Sequence, residues 1–204
     1  MTSAEKKLQI ANMALLHLGQ MKITQAQLTA AAIPSALAID LFWDPCRDEV
    51  LGESDWPFAT CTETLSAIST ITDAEYEYVY TYPTSAVSSV WAVFDEGSAD
   101  KKEEQEFIVK YVPASSNKFI FSHLSDAIAE YTYQVTDALM WSHKFNIAFS
   151  YRLAAEICVP ITGDVQKGLQ LMQVYNAILG EAKRVGASEK VKKPTQTSKY
   201  LESR

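Results

Sequence analysis

Apolar residues recur at helical spacing near both ends of this chain and at a spacing of two in its middle. A helical stripe and a strand face do not exchange roles, so the chain must combine helices with a sheet. Tyr76, Tyr78, Tyr80 and Tyr82 alternate with Glu75, Glu77, Val79 and Thr81 until Pro83, which predicts a strand with four tyrosines on one face. Val87 to Phe94, Phe107 to Val112, Phe119 to Phe121 and Glu130 to Val135 predict four more strands, the last with Tyr131, Tyr133 and Val135 on one face. Asp95 to Glu106 predicts a charged hairpin or loop turning at Gly97, and Pro113 to Asn117 a tight turn. Short sequential strands joined by turns favour antiparallel pairing.

The flanks predict helices. Thr2 with Glu5 three residues on forms a capping-box pattern, Leu8, Ala11, Leu15 and Leu18 follow at helical spacing, and Gly19 suits the left-handed stop. Gln20 to Ile33 reads as a polar, alanine-rich connector. Pro34 and Ser35 open a second helix with a buried stripe of Ile39, Trp43, Cys46 and Val50, and Pro45 inside it predicts a kink or break. Glu53 to Asp55 ends that helix, and Trp56-Pro57-Phe58 forms an apolar plug. Phe145, Phe149, Leu153 and Ile157 mark a third helix up to Pro160. After the turn Thr162-Gly163-Asp164 comes a fourth, with Val165, Leu169, Met172, Tyr175, Ile178 and Leu179 as its apolar face.

The expected class is therefore α+β: a helical bundle of two N-terminal and two C-terminal helices with an inserted antiparallel β-sheet and an extended C-terminal tail. Residues 1–70 and 137–186 form the bundle, 71–136 the sheet insertion, and 187–204 the tail, which loses periodicity after Gly186. No apolar run reaches the ~18 residues of a membrane span, and the N-terminus lacks a secretory layout. The expectation is a soluble protein made in the cytoplasm.

Charge narrows the function. The first 180 residues hold 11 basic and 22 acidic groups, whereas residues 181–204 hold seven basic and three acidic ones. An acidic body argues against gripping nucleic acid, which needs clustered cations. Cys46, Cys61 and Cys158 fit neither a C-x-x-C metal site nor a disulfide framework and read as small buried residues. His17, His123 and His143 lie in no metal-ligand spacing, and His17 reads as a helix-end side chain. There is no nucleophile elbow and no phosphate-binding glycine loop. Asp40, Asp44 and Asp48 share a helix face, where they suit a cation or acid–base work, but Arg47 beside them favours a solvated, charge-balanced face. The tyrosine row Tyr76, Tyr78, Tyr80 and Tyr82 reads either as a core or inter-subunit surface or as a glycan- or peptide-binding platform. The basic tail reads either as a solubilising terminus or as a docking segment, with Tyr200 and Leu201 as anchors among Lys190, Lys192, Lys193 and Lys199.

Ile10-Ala11-Asn12-Met13-Ala14-Leu15-Leu16-His17-Leu18-Gly19 resembles the "I-A-N-x-A-L-x-x-L-G" opening of the head-to-tail adaptors of tailed phages, the tail tubular protein A group. Arg47-Asp48-Glu49-Val50-Leu51 with Trp56-Pro57-Phe58-Ala59, the tyrosine strand through Pro83, and Phe145 through Asp164 resemble further family segments in the same order. Pro45 departs from the family's unbroken helix, and Ser85 to Leu124 has no counterpart. The resemblance implies a dodecameric ring docked to the portal protein, without catalytic residues, metal or cofactor. That ring extends the channel for double-stranded DNA, which it does not bind by sequence, and carries the tail tube or nozzle. It also implies a virion location at the head–tail interface and no membrane. Two alternatives from other classes are a ligand- or glycan-binding module using the tyrosine strand, and a cell-wall-degrading enzyme using Asp40, Asp44 and Asp48.

Overall fold

A computed structural model describes residues 1–95 and 105–189. It is α+β, with five helices and six strands among those residues. Helix α1, Ser3–His17, starts on the expected capping box. The Glu5 N–H donates to Thr2 Oγ1 at 3.2 Å and the Thr2 N–H to Glu5 Oε2 at 2.7 Å, while Gly19 holds the left-handed stop at φ 70°. The connector contains a helix that its polarity concealed: α2, Gln25–Ala30, with a second capping box from Thr24 and Gln27 and a single buried anchor, Leu28.

Helix α3, Pro34–Gly52, begins with proline in its first turn and runs through Pro45 without a break. Pro45 removes the donor for the Leu41 carbonyl, but both residues are exposed, so that carbonyl faces solvent and the helix continues. The expected stripe of Ile39, Trp43, Cys46 and Val50 is buried.

Two three-stranded antiparallel sheets follow, where one sheet had been the simplest expectation. The first has the order β1–β6–β3, from Thr60–Thr64, Ala127–Tyr133 and Ala86–Asp95. The second has the order β2–β5–β4, from Tyr78–Thr81, Asn117–Ser122 and Phe107–Val112. Strand β1 was missed because Thr60-Cys61-Thr62-Glu63-Thr64 carries little apolar signal. It lies within the stretch assigned to the bundle. Strand β6 starts earlier than expected and ends at Tyr133; Tyr131 on it is buried and Tyr133 is exposed. Residues 96–104, most of the predicted charged loop, lie outside the described residues.

Helix α4, His143–Thr162, is capped by Ser142, whose Oγ accepts from the Phe145 N–H at 3.2 Å, and ends on Gly163 at φ 71°. Helix α5, Val165–Glu189, continues past Gly186, where periodicity had suggested the tail begins. Leu171, Tyr175, Leu179 and Ala182 on it are buried, whereas Val165 and Leu169, expected on the apolar face, are exposed.

One core fills the space among the helices and centres on Trp43, Trp56, Trp141, Phe145 and Phe149. A second lies between the sheets and includes Tyr80, Val90, Val93, Ile120 and Tyr131. A third covers the outer face of the second sheet with Tyr76, Val79, Phe119 and Phe121. Two indoles secure the places where chain passes between helices and sheets. Trp56 Nε1–H donates to the Val50 carbonyl and Trp141 Nε1–H to the Val135 carbonyl, each at 2.9 Å. Departure and return are adjacent, because Thr60 pairs with Thr132 and the Tyr133 N–H donates to the Ala59 carbonyl at 2.7 Å. Among the described residues, no helix is long and apolar enough to cross a membrane.

Candidate functional site

The four tyrosines do not share a face. The chain bends at Glu77 and β2 begins only at Tyr78, so the alternation does not extend back to Tyr76. Tyr78, Tyr80 and Tyr82 face the core between the sheets, and Tyr76 packs on the opposite side with Val79, Phe119 and Phe121. Tyr80 is 1% exposed and its hydroxyl donates to the Leu124 carbonyl. Tyr76 is 8% exposed and stacks on His123 with ring centroids 5.0 Å apart. Lys110 Nζ lies 5.2 Å from the Tyr76 ring and 2.7 Å from Asp73, and that hydrogen bond holds the Asp73 carboxyl below its usual range. The row is thus mainly core.

The carboxylate row is also committed to structure. Arg47 Nη1 meets Asp44 at 2.7 Å and Arg47 Nε meets Asp48 at 2.8 Å, while Gln134 donates to the other Asp48 oxygen at 2.9 Å. Asp40 is exposed. Among the described residues, no group of three or more His, Cys, Asp or Glu is placed to hold a metal ion.

Cys46 and Cys158 are buried as expected, and Cys61 is half-buried. Burial pushes the Cys46 thiol up to about 12, against the pull of Arg152. The tail residues Lys190, Lys192, Lys193, Lys199, Tyr200 and Leu201 lie outside the described residues.

His17 stacks on Tyr151 of α4 with centroids 3.8 Å apart, and its Nε2 is 3.2 Å from Ser150 Oγ. The Ser150 hydroxyl donates to the Ile147 carbonyl at 2.8 Å, which makes Nε2 the donor to Ser150. Burial lowers the His17 pKa from 6.5. The unfolded chain therefore takes up this proton more readily than the folded one. The contribution of neutral His17 is complete above pH 6.5 and is lost as pH falls below it. The unfolding midpoint should fall between pH 7.5 and about 5, and His17→Gln should flatten that part of the profile; an unchanged slope in this variant would refute the assignment.

Two surface features escaped sequence reading. The first is an open cleft of 490 Å³ at one end of the second sheet, walled by Tyr82, Pro83, Tyr111 and Phe119 and rimmed by Asn117 and Lys118. Its only sequence sign was the Pro113–Asn117 turn between an exposed tyrosine and a lysine. The second is a pair of apolar patches on helices. Leu37 and Leu41 of α3 are 58% and 66% exposed, and Val165 and Leu169 of α5 are 58% and 56% exposed. Each pair is spaced i, i+4, so its members adjoin on one helix face.

No protein-family model matches the chain, and no curated protein matches it either.

Proposed function

We propose that the chain is a subunit of a head-to-tail adaptor ring of a tailed phage, docked to the portal protein and supporting the tail tube or nozzle. The observation that carries this reading is the pair of apolar helix faces, Leu37/Leu41 on α3 and Val165/Leu169 on α5. Single exposed leucines are ordinary, but adjoining pairs on two helices whose other faces build the core suit burial by neighbours. They lie on different helices and so can serve as the two unlike patches that a head-to-tail contact in a closed ring joins. This contact replaces the tyrosine strand as the inter-subunit surface, because Tyr76 and Tyr80 are covered within their own chain.

The role is mechanical, with no catalytic residue, metal or cofactor. The acidic body, with 22 acidic against 11 basic groups in residues 1–180, repels phosphate and leaves passing DNA free to slide. The basic tail supplies the portal-docking segment through Lys190, Lys192, Lys193, Lys199, Tyr200 and Leu201. A virion location follows from the same reading.

Native mass spectrometry of the chain, alone and with the portal protein of the same phage, tests it. A dodecameric ring on the portal is the expected result. Leu41→Glu and Leu169→Glu should abolish the ring while changing monomer stability by no more than about 0.5 kcal/mol. Removing residues 190–204, which spares α5, should abolish portal attachment. A chain that stays monomeric with the portal and is missing from purified virions overturns the proposal.

A further inference from the structure

The cleft at the end of the second sheet has the composition of a ligand site. Its 490 Å³ falls within the about 300–1,000 Å³ typical of small-ligand sites. Tyr82 and Tyr111 form its aromatic walls. The Tyr82 hydroxyl is engaged by the Val90 backbone, so this residue offers the cleft its ring rather than its oxygen. Tyr111 is 59% exposed on β4.

Charge and hydrogen-bonding groups then select a ligand class. The chain carries a net charge of −7, yet no carboxylate is among the described residues lining the cleft, and its one charged group is Lys118. Lys118 Nζ stands 5.8 Å from the centre of the Tyr82 ring, which holds the ammonium beside an aromatic face. Ser116 and Asn117 add a hydroxyl and an amide at the rim, and Ser116 is fixed in the left-handed region at φ 54°.

Part of the backbone around the cleft is already used. The Thr81 N–H donates to the Ser66 carbonyl at 3.0 Å, and Ala67 bridges to Tyr80, so no peptide strand can add to that edge of β2. The Val112 carbonyl accepts from the Ser115 N–H and its hydroxyl, both at 3.2 Å. The side chains at the cleft offer two phenol faces, an ammonium, a hydroxyl and an amide. Phenol faces suit the C–H faces of pyranose rings, the rim groups suit hydroxyls, and the ammonium suits a carboxylate.

We propose that this cleft binds an acidic saccharide, with pyranose rings against Tyr82 and Tyr111 and a sugar carboxylate on Lys118. The site does not depend on the ring reading above.

Isothermal titration of the full chain with an oligogalacturonate, an oligosialic acid and neutral maltohexaose tests the proposal. At least one acidic oligosaccharide should bind saturably, more tightly than maltohexaose and less tightly at higher salt. Tyr111→Ala and Lys118→Gln should each weaken it about tenfold, and Lys118→Arg should retain it. Both positions are exposed, so folding is preserved, and a far-ultraviolet spectrum verifies this. Tyr82→Phe keeps the aromatic face and should bind like the parent chain. Absence of binding by both acidic probes overturns the proposal, as does equal binding of maltohexaose or unchanged affinity in Tyr111→Ala and Lys118→Gln. None of these results bears on ring assembly, which is read by mass.

Discussion

Phe145→Ala should destabilise the helical core by about 3–5 kcal/mol, a large share of the about 5–15 kcal/mol that holds a typical domain together. The side chain is fully buried near the start of α4. Its ring meets Trp56 and Phe58 at 5.1 Å and Trp141 at 5.0 Å, all edge to face, and lies parallel to Phe149 at 6.4 Å. Truncation therefore removes an aromatic volume that four rings enclose, two from the Trp56–Phe58 plug, one from Trp141 and one from α4 itself, and rings fixed by their own neighbours cannot collapse into the space. Urea unfolding followed by tryptophan fluorescence measures the effect, since Trp43, Trp56 and Trp141 all report on this core. Leu41→Ala, on an exposed face, is the matched control and should change stability by less than about 0.5 kcal/mol. A cost below about 1 kcal/mol for Phe145→Ala would show that this cluster does not organise the fold.

Arg152→Ala should cost about 2–3 kcal/mol, by a different route. Arg152 is 8% exposed and ties α3 to α4. Its Nη2 lies 2.7 Å from Glu49 Oε2 and its Nε 2.9 Å from the same oxygen, while Nη1 pairs with Glu156. Removing the guanidinium leaves two carboxylates facing one another over the apolar ground around Cys46. Both remain partly hydrated, which keeps the cost below that of a wholly buried broken pair. Arg152→Lys should restore little, because an ammonium cannot bridge both partners as a planar fork does. The triple substitution Glu49→Leu, Arg152→Met, Glu156→Leu should recover most of the loss, since it removes the desolvated charges together. If the triple variant were less stable than Arg152→Ala, the ion pairs themselves, and not the stranded carboxylates, would be the main contribution.

Elements whose apolar residues had one dominant environment were legible in the sequence. Helices α1, α3 and α4 each carry a stripe facing a single core, and residues at their ends are chemically distinctive, proline in the first turn of α3 included. Thr2 and Gly163 act as their chemistry requires, whereas the Ser142 cap of α4 was not singled out. Strands β3, β4 and β5 showed through their branched and aromatic content. Reading failed where local pattern and surroundings disagree. Helix α2 has one buried residue, so no stripe exists to find. Strand β1 is held by its hydrogen bonds to β6, a feature without a composition signature. The tyrosine row read as one face because alternation was counted through Glu77, where the chain bends. On α5, Val165 and Leu169 extend an apolar arc wider than α4 covers, and periodicity alone cannot tell the covered part from the uncovered part. The cleft was illegible for a related reason: Tyr82 directly follows β2 and Tyr111 lies on β4, strands that are not hydrogen-bonded neighbours and that each pair instead with β5.

The adjacency of Ala59 and Tyr133 makes the intervening sheets a cassette. Once the two ends of a segment are held together, lengthening it adds closure entropy only slowly, about 0.6 kcal/mol for each doubling. Natural variation can therefore lengthen, shorten or exchange the sheets without re-solving the packing of the helices. The indoles of Trp56 and Trp141 act as fixed rivets on either side of the graft, so changes in the sheets and upkeep of the helical frame become separable problems.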